Sequence, residues 1–373
     1  MIEYIVARNK TREQIGIIDL FKSVIWERSY YGTGSFEVYA PATEEHLQQL
    51  KEGHYITRPG DEEVGIIERI ELTYSPKEGR MITASGRFAK SMLDRRLIYK
   101  LTGTSNRATI LKGNVEAAVR SLVQNNIINA TDPARNISFI KLGATAGTAQ
   151  VIVDDNGATA EKQVSYQNLL SYTDELLQEY GLGAKMTMDA GKILVYRVFE
   201  GDDKRRGNTQ GNEAIIFSQT FDNLVSSQYS KDETERKTTA LVGGAGEDIS
   251  RFYTLYGGNY AGEARREVFV DASSIDKKYT DENETEQEHT DAVYRQMLNT
   301  QARQELAQLI TEETFSGEVD VTHSQYKYKT DFELGDIVTI MDTQAGLELA
   351  SRITEIREVQ DATGYSVELT FNT

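Results

Sequence analysis

The stretch from Val24 to Pro41, VIWERSYYGTGSFEVYAP, predicts two strands joined by a turn, and the rest of the chain is interpreted around it. Gly32 and Gly34 lie in the turn and tolerate positive φ, as a tight hairpin requires. After the turn, apolar and polar residues alternate with a period of two, which is typical of a half-buried strand. Pro41 cannot donate to a ladder, so we expect the second strand to end there.

The composition is that of a folded protein with more than one domain. The chain has 373 residues, 39% hydrophobic and 27% charged, which is enough for roughly two to four domains. It has no cysteine, which excludes disulfide frameworks, thiolate metal sites and cysteine nucleophiles. We find no signal peptide, and no stretch approaches the roughly 20 apolar residues of a membrane helix. We therefore expect synthesis in the cytoplasm and no membrane insertion.

The net charge of −17, from 58 acidic and 41 basic residues, argues against a nucleic-acid-binding protein. Such binding depends largely on Lys and Arg side chains that neutralise phosphates. An acidic chain is soluble, and it also repels a polyanion that passes close to it. Two interpretations stay open: the charge serves solubility alone, or it keeps DNA from adhering to the wall of a channel.

The first two segments of the chain differ in their predicted structure. Residues 1–101 contain many short apolar runs separated by turn signals, which is typical of a β-barrel or sandwich, with one short helix over 43–50. Residues 102–212 predict an α+β unit, with helices over 115–128 and 166–180 and a hairpin of 184–188 and 193–199. Asn156 and Gly157 predict a further hairpin turn, and the polar residues 200–212 a linker or long loop.

The second half predicts more strands around one long helix. Residues 213–315 contain a β segment and then the helix, which we expect to begin at a capping box of Thr285 and Glu288 and to end near Glu313. Residues 316–373 predict C-terminal strands. Together the four segments give an α+β fold that is mainly β, with domains that are discontinuous in sequence.

Three motifs resemble the siphophage tail hub family, the baseplate or tail-tip hub proteins of long-tailed phages and prophages. Members typically carry an Arg-Tyr-x-x-x-Gly-x-Phe-Glu-hydrophobic pattern near the start of the chain, then a Gly-Arg pair with a later Leu-x-Arg-Arg, and near the end a Leu-Gly-Asp-hydrophobic-Val pattern. The matching residues are Arg28, Tyr30, Tyr31, Gly34, Phe36, Glu37 and Val38, then Gly86, Arg87, Leu93, Arg95 and Arg96, and finally Leu334, Gly335, Asp336, Ile337 and Val338.

The local sequence suggests a structural role for several of these motif residues. Leu334 is expected to pack, Gly335 to adopt a turn conformation, and Asp336 to cap the turn before the strand Ile337–Met341. Two interpretations of Arg95 and Arg96 stay open: they are solvated on a short helix, or they contact another subunit. We predict no catalytic, cofactor-binding or metal-binding role for any motif residue.

The resemblance implies a structural protein of the virion tail, assembled in the host cytoplasm. Two tube-like β-barrels are implied, with an α+β insertion between them and the long helix before the C-terminal barrel strands. The implied assembly is a homotrimer that contacts the tail tube or distal tail protein and other tail-tip proteins. Its three subunits present pseudo-sixfold symmetry around a channel for DNA or the tape-measure protein, with DNA only as passing cargo.

Other functions have weaker support in the sequence. The loop 243–246, GGAG, is followed by neither a Gly-Lys-Ser/Thr nor a completed G-x-G-x-x-G, so a wide sheet turn is favoured over a phosphate site. The acidic run 281–288 fits a calcium loop poorly, since Glu286 occupies the glycine position. The four histidines lack ligand spacing, and no hydrolase motif is present. The alternative from another class is a carbohydrate- or receptor-binding module, which the 20 tyrosines would suit.

Overall fold

A computed structural model describes residues 1–102, 105–106, 108–154, 157–280, 285–320, 324–344 and 346–372. The chain is mainly β, as predicted. The α-helices are α1 (Glu44–Gln49), α2 (Val115–Val123), α3 (Leu169–Glu179) and α4 (Asp291–Gln308). Shorter helical segments are the 3-10 helices Ala89–Arg95, Pro133–Arg135, Gln219–Phe221, Asp248–Ser250 and Gly262–Ala264, and the π-helical turn Gln124–Ile128.

The strands of the first half are β1 (Ile5–Arg8), β2 (Gln14–Ile18), β3 (Ser23–Ser29), β4 (Ser35–Pro41), β5 (Tyr55–Thr57), β6 (Gly65–Ser75), β7 (Gly79–Phe88), β8 (Leu101–Thr102), β9 (Ser105–Asn106), β10 (Thr109–Lys112), β11 (Ile140–Leu142), β12 (Glu161–Val164), β13 (Gly183–Met188) and β14 (Leu194–Phe199). Those of the second half are β15 (Ile216–Ser218), β16 (Gln228–Asp232), β17 (Thr239–Gly243), β18 (Tyr253–Gly257), β19 (Glu267–Asp271), β20 (Lys278–Thr280), β21 (Glu286–Glu288), β22 (Glu312–Val319), β23 (Ile337–Asp342), β24 (Leu347–Asp361) and β25 (Gly364–Asn372).

One large sheet joins the two ends of the chain. Eight strands follow one another in the order β16-β22-β25-β24-β3-β4-β7-β6, and each neighbouring pair is antiparallel. We call this set the eight-strand run. Strands β5, β1 and β2 continue the sheet from the base of β6, while β23 pairs with β24 and β15 with β23. The 15-residue strand β24 is central, because its first residues pair with β23 and its last with β3.

The predicted hairpin at Val24–Pro41 is confirmed as β3 and β4. Residues of β4 are alternately buried and partly exposed, and Pro41 is its last residue. The connection differs from the prediction, because of the two glycines only Gly34 has positive φ. Gly32 instead donates its N–H to Ser29 Oγ at 2.9 Å. The turn is therefore a wider loop, fixed by a side chain at the end of β3.

Two hydrophobic cores lie on either side of the β3–β24 pair. The first contains the aromatic cluster Trp26, Phe36 and Phe88, whose ring centroids lie 4.8–6.3 Å apart. The second is built around Phe217, with Phe332 and Phe371 at 5.2 and 5.7 Å from its ring centroid. Such packed aromatic clusters bury large apolar areas, so each core stabilises its own part of the sheet.

The segment between the two ends contains its own α+β unit. Helices α2 and α3 pack against the sheet β11-β14-β13, and the predicted hairpin of β13 and β14 is confirmed. The predicted start of α3 near Tyr166 is wrong. Tyr166 is exposed with a φ of 62°, and the Asn168 side chain caps the helix by accepting N–H groups of Leu170 and Ser171. Gly181, with a φ of 68°, follows the helix, as predicted.

The long helix α4 packs on the three-stranded sheet β18-β17-β19. Its predicted capping box at Thr285 and Glu288 is wrong, because Glu288 belongs to β21, and Thr290 caps the helix by accepting the N–H of Val293. Helix α4 ends at Gln308, since β22 already begins at Glu312. Val293 and Ile310 are exposed, whereas Tyr294 is completely buried.

Some predicted features remain predictions. Asn156 of the predicted turn and residues 281–284 of the acidic run lie outside the described residues, although Val153 does pair with Thr159 around the turn. The boundaries between the four predicted segments are likewise still predictions. Within the part of the chain that the structure describes, no helix is long and apolar enough to span a membrane.

Candidate functional site

The two terminal motifs meet at one place, which we call the junction: the contact of β3 and residues 58–63 with residues 326–336 and β24. The backbone brings them together. Strand β3 pairs with residues 355–360 of β24, the N–H of Tyr30 donates to the Thr354 carbonyl at 2.8 Å, and that of Gly335 to the Ile353 carbonyl at 2.9 Å. Motif residues separated by about 300 positions in sequence thus share one structural unit.

Arg28 lies at the centre of the junction and is buried. Its guanidinium donates to Glu333 Oε1 at 2.7 Å and to the Tyr328 hydroxyl, and its Nε lies 3.5 Å from Asp61 Oδ2. It therefore connects β3 to the turn after β5 and to the loop before β23. A guanidinium suits this position because it is always charged and has several donors in a fixed plane.

A second buried cation, Arg58, extends the network. It donates to both carboxylate oxygens of Glu358, with one distance of 2.9 Å, and to Asp61 Oδ2 at 3.0 Å. Its guanidinium lies 5.1 Å from the ring centroid of Trp26, so the network rests on the first core. Glu358 also accepts the hydroxyl of Tyr365 at 2.6 Å. Removing one member of such a buried set leaves its partners desolvated and unpaired.

The charges at the junction shift the pKa of its carboxyl groups in opposite directions. Burial alone would raise the pKa of Asp61, but Arg28 and Arg58 hold it well below its usual range. Burial would also raise the pKa of Glu358, but the hydrogen bonds from Arg58 lower it below its usual value. For Glu63 burial dominates, with the nearby Asp61 adding to it, and raises the pKa to about 7.

Tyr30 packs where the junction meets the α+β unit. It is completely buried, and its hydroxyl donates to the Gly181 carbonyl at 3.0 Å. Burial raises the pKa of Tyr30 to about 12. A Cβ added at Gly335, which has a φ of 97°, would lie 2.4 Å from the Tyr30 ring, and one at Gly183 would lie 2.5 Å from it. Only glycine fits beside this ring at either position.

The Leu-Gly-Asp motif is built as the sequence predicts. Leu334 is buried in the second core. Asp336 accepts the N–H of Glu333 at 2.9 Å, which closes the turn, and also binds the N–H of Asp202 at 2.9 Å and the ammonium of Lys204 at 2.8 Å. Asp336 therefore caps its own turn and fixes the segment that leaves β14.

The remaining predicted residues surround the β3–β4 hairpin. Phe36 packs in the first core, while Glu37 lies on the opposite, partly exposed face of β4. A Cβ at Gly34 would lie 2.5 Å from the Glu27 carbonyl oxygen, and one at Gly86 would lie 1.9 Å from that of Ile66. Both glycines therefore allow close approach of neighbouring strands.

The three predicted arginines lie at the surface, away from the junction network. Arg87 donates to Glu68 at 2.9 Å and to Asp94 at 3.1 Å. Arg96 donates to the Arg135 carbonyl at 2.8 Å, so it is held internally rather than solvated. Arg95 is exposed. The subunit contact suggested for Arg95 and Arg96 stays a prediction.

The other candidate sites have internal explanations. Arg251 donates to the carbonyls of Gly243 and Gly244, and the Tyr294 hydroxyl accepts the N–H of Ala245, so the glycine-rich loop is packed against α4. His46 and His54 contact backbone carbonyls at 2.7 and 2.9 Å. His323 lies outside the described residues. Among the residues that are described, no group of His, Cys, Asp and Glu could hold a metal ion.

The chain matches a family model described as "Siphovirus ReqiPepy6 Gp37-like protein" over residues 5–371. Because the match spans almost the whole chain, the protein belongs to this family of siphovirus tail proteins, and the predicted family is confirmed. It is thus a structural protein of the virion tail. No curated protein sequence matches the chain.

Solved structures of phage tail proteins share the fold over their whole length. The tail protein from Neisseria meningitidis is 15% identical with a TM-score of 0.57, and the match covers 99% of this chain and 96% of that one. The 43 kDa tail protein of prophage MuSo2 from Shewanella oneidensis is 13% identical with a TM-score of 0.55, covering 99% and 98%. Prophage tail protein gp18 from Listeria monocytogenes is 12% identical with a TM-score of 0.50, covering 99% and 94%. At these identities the likeness concerns the fold alone.

Proposed function

We propose that the protein is a structural hub that joins the tail tube to the tail tip, and that three copies form a ring around a channel. DNA or the tape-measure protein passes through this channel. The two cores beside the β3–β24 pair belong to two tube-like units, one formed by residues 1–101 and the other completed by residues 316–373. Residues 102–212 form the insertion between them, and 213–315 supply further strands and the long helix.

The observation that carries this proposal is the pair of open edges of the eight-strand run. Among the residues that the structure describes, β6 beyond Ile67 pairs with β7 alone at one end of the run. At the other end, β22 is the one described strand that pairs with β16, and all five residues of β16 are exposed. Unpaired strand edges expose backbone N–H and C=O groups that another strand can bind. A hub subunit needs such edges on both sides to contact two neighbours.

The strand directions favour a closed ring of identical subunits. In an antiparallel run of eight strands, the first and last strands point in opposite directions. The β6 edge of one copy can therefore pair antiparallel with the β16 edge of the next, and the same contact repeats around the ring. This head-to-tail contact is heterologous, which is the kind that generates rings when the rotation closes.

The chemistry of one face of the run supports a channel. Glu27, Glu37, Glu355 and Glu368 lie on the face opposite the cores, with Arg357 paired to Glu27 at 3.6 Å and to Glu368 at 3.3 Å. Burial, and then the charge of Glu27, raise the pKa of Glu355. An acidic wall repels the phosphates of passing DNA. The acidic composition would then serve passage as well as solubility.

The partners follow from this arrangement. The ring would contact the tail tube or distal tail protein on one side and other tail-tip proteins on the other. A carbohydrate-binding role stays the alternative: Tyr30, Tyr196 and Tyr294 are buried in cores, but other tyrosines are exposed and available for stacking on a sugar, among them Tyr74, Tyr166 and Tyr253. The protein's role is assembly and passage without chemistry.

The test is the mass and symmetry of the purified protein. Sedimentation equilibrium over the micromolar range, combined with negative-stain electron microscopy, should give three times the chain mass of 41.9 kDa and a threefold ring with a central hole. A monomer that persists to the highest concentration and shows no ring would contradict the proposal. Glycan binding by that monomer would favour the carbohydrate-binding alternative.

A further inference from the structure

Glu63 lies on what we call the seam, the contact of residues 61–64 with β13 and residues 199–202. Its backbone forms an antiparallel bridge with Thr187 of β13. Its carboxyl is buried and faces a cavity of about 210 Å³ between the N-terminal sheet, the α+β unit and the loop before β23. The seam therefore joins three parts of the chain around one carboxyl group.

The cations that face Glu63 are already paired with other carboxylates. Arg28 binds Glu333 at 2.7 Å, Lys185 binds Glu62 at 2.9 Å, and Lys90 binds Asp174 at 2.9 Å. The described residues form neither an ion pair nor a hydrogen bond with the Glu63 carboxyl itself. If Glu63 ionises, its charge is thus an additional buried negative charge without a partner, which is costly in a desolvated site.

Several elements contribute charges around this carboxyl. On its own segment these are Arg58, Asp61 and Glu62. The other elements contribute Arg28 from β3, Lys90 from the 3-10 helix, Lys185 from β13, Glu200 and Asp202 after β14, and Glu333 and Asp336 from the loop before β23. Of these ten neighbours six are acidic and four are basic, and two more lysines pair with members of the set, Lys204 with Asp336 at 2.8 Å and Lys329 with Asp61 at 3.3 Å. The charges around Glu63 are therefore already balanced, and its ionisation adds one negative charge in excess.

We propose that Glu63 is a proton-controlled latch: protonated, it keeps the seam between the N-terminal sheet and the α+β unit closed, and ionised, it loosens that seam. The bridge to Thr187 is the contact under direct control, because it involves the same residue. Loosening would let the α+β unit move relative to the sheet while both cores stay folded. The inference does not depend on the ring, since every contact lies within one chain.

The direction of the pH effect follows from the shifted group. Burial raises the folded-state pKa of Glu63 to about 7, while the pKa of an exposed glutamate is about 4.5. Between these values the closed form binds more protons than the open form. The closed seam is therefore favoured at low pH, and this advantage is lost as the pH rises from about 4.5 to about 7. Above neutrality the seam is at its weakest.

The test uses a thiol reporter, which is convenient because the chain has no cysteine. Thr187→Cys places one thiol at the buried bridge. Its labelling rate is measured at about pH 6 and about pH 8.5 in two backgrounds, with Glu63 and with Glu63→Gln. At each pH, the labelling rate with Glu63 is divided by the rate with Glu63→Gln. This ratio is free of the intrinsic pH dependence of the thiol. We expect this ratio to rise about tenfold between the two pH values, because opening is coupled to loss of one proton.

The matched control is Glu161→Gln, which removes the same charge from a largely exposed side chain that pairs with Lys112, so the cations that face Glu63 keep their partners. It should keep the pH dependence seen with Glu63. A second readout needs no thiol: the midpoint temperature of thermal unfolding, measured from pH 5 to 8.5. Glu63→Gln should make this midpoint less dependent on pH and raise it at the alkaline end. Equal pH profiles of the Glu63 and Glu63→Gln proteins in either readout would overturn the proposal, whereas ring formation would be unaffected.

Discussion

The junction and the two open edges of the eight-strand run are both places where strands meet or could meet, but they are built in opposite ways. At the junction, β3 pairs with β24, and behind the pair Arg28 and Arg58 are buried among carboxylates. At the edges, β16 is entirely exposed and the outer half of β6 is mostly so. The β3–β24 contact is formed within the chain, whereas the described residues pair no strand with the outer edges of β6 and β16.

This difference indicates how the two kinds of contact are specified. A buried ion network is costly unless every member is paired, so it permits only one arrangement of the two terminal motifs. An exposed strand edge is tolerated in water and makes its hydrogen bonds only when another strand arrives. We infer that the junction fixes the shape of one subunit and that the edges serve assembly.

The largest expected effect comes from breaking the junction. Arg58→Ala would remove the buried cation that binds both Glu358 and Asp61, and only the partly exposed Lys329 would then pair with both. We expect a loss of about 3–5 kcal/mol in the free energy of unfolding. Urea denaturation monitored by Trp26 fluorescence measures it, since this single tryptophan packs beside Arg58. The control Arg69→Ala removes a largely exposed pair with Glu71 and should cost about 1 kcal/mol or less. Equal losses would contradict the distinction between the two regions.

A smaller effect is expected from Gly335→Ala, which introduces a Cβ 2.4 Å from the Tyr30 ring at a φ of 97°. Overpacking and positive φ together should cost about 2–4 kcal/mol. Gly79→Ala in the β6–β7 turn is the matched control, because its φ is 78° but no atom lies within 4 Å of the new Cβ. There only the backbone term of about 1–2 kcal/mol applies. The same denaturation experiment compares them, and a smaller loss at Gly335 than at Gly79 would show that Tyr30 can move aside.

The smallest effect is expected at the surface near the β6 edge. Arg87→Ala removes partly exposed ion pairs with Glu68 and Asp94, so we expect a loss of about 0.2–1 kcal/mol that disappears in high salt. If the loss instead depends on protein concentration, Arg87 contacts another subunit, and the explanation by ion pairs within one chain is wrong.

Local patterns predicted the parts of the fold that are local. The β3–β4 hairpin follows from alternation and from Gly34, and the β13–β14 hairpin from two apolar runs around a short turn. The start of α4 could not be predicted from the local pattern. Thr285 and Glu288 fit a capping box, but pairing of β21 with β20 places Glu288 in a strand, and Thr290 caps instead. Pairing within the short hairpin of β20 and β21 overrode the capping signal there.

The junction was predicted only as separate motifs. Arg28 and the Leu-Gly-Asp turn were identified, but Arg58, Asp61 and Glu63 were not, because nothing nearby in the sequence shows what they contact. One signal was available: Glu358 follows Ile356 by two residues and so lies on the same, buried face of β24. A buried carboxylate is costly unless it is paired or protonated, so a buried cation was a partner to expect. Alternation alone could not identify that cation as Arg58, 300 positions earlier.

The most direct test of the central claim is cross-linking between the two edges. Thr73→Cys on β6 and Ser230→Cys on β16 place thiols on opposite edges of one chain, and a short bismaleimide can join them only where the edges of two copies meet. The account predicts covalent trimers as the largest product, and dimers but no trimers from an equimolar mixture of the two single-cysteine proteins. The control pair combines Thr73→Cys with Thr363→Cys, which lies at the exposed β24–β25 turn instead of the β16 edge. It should give no trimers. Equal yields with the control pair, or monomers throughout, would contradict the claim that these edges form the ring.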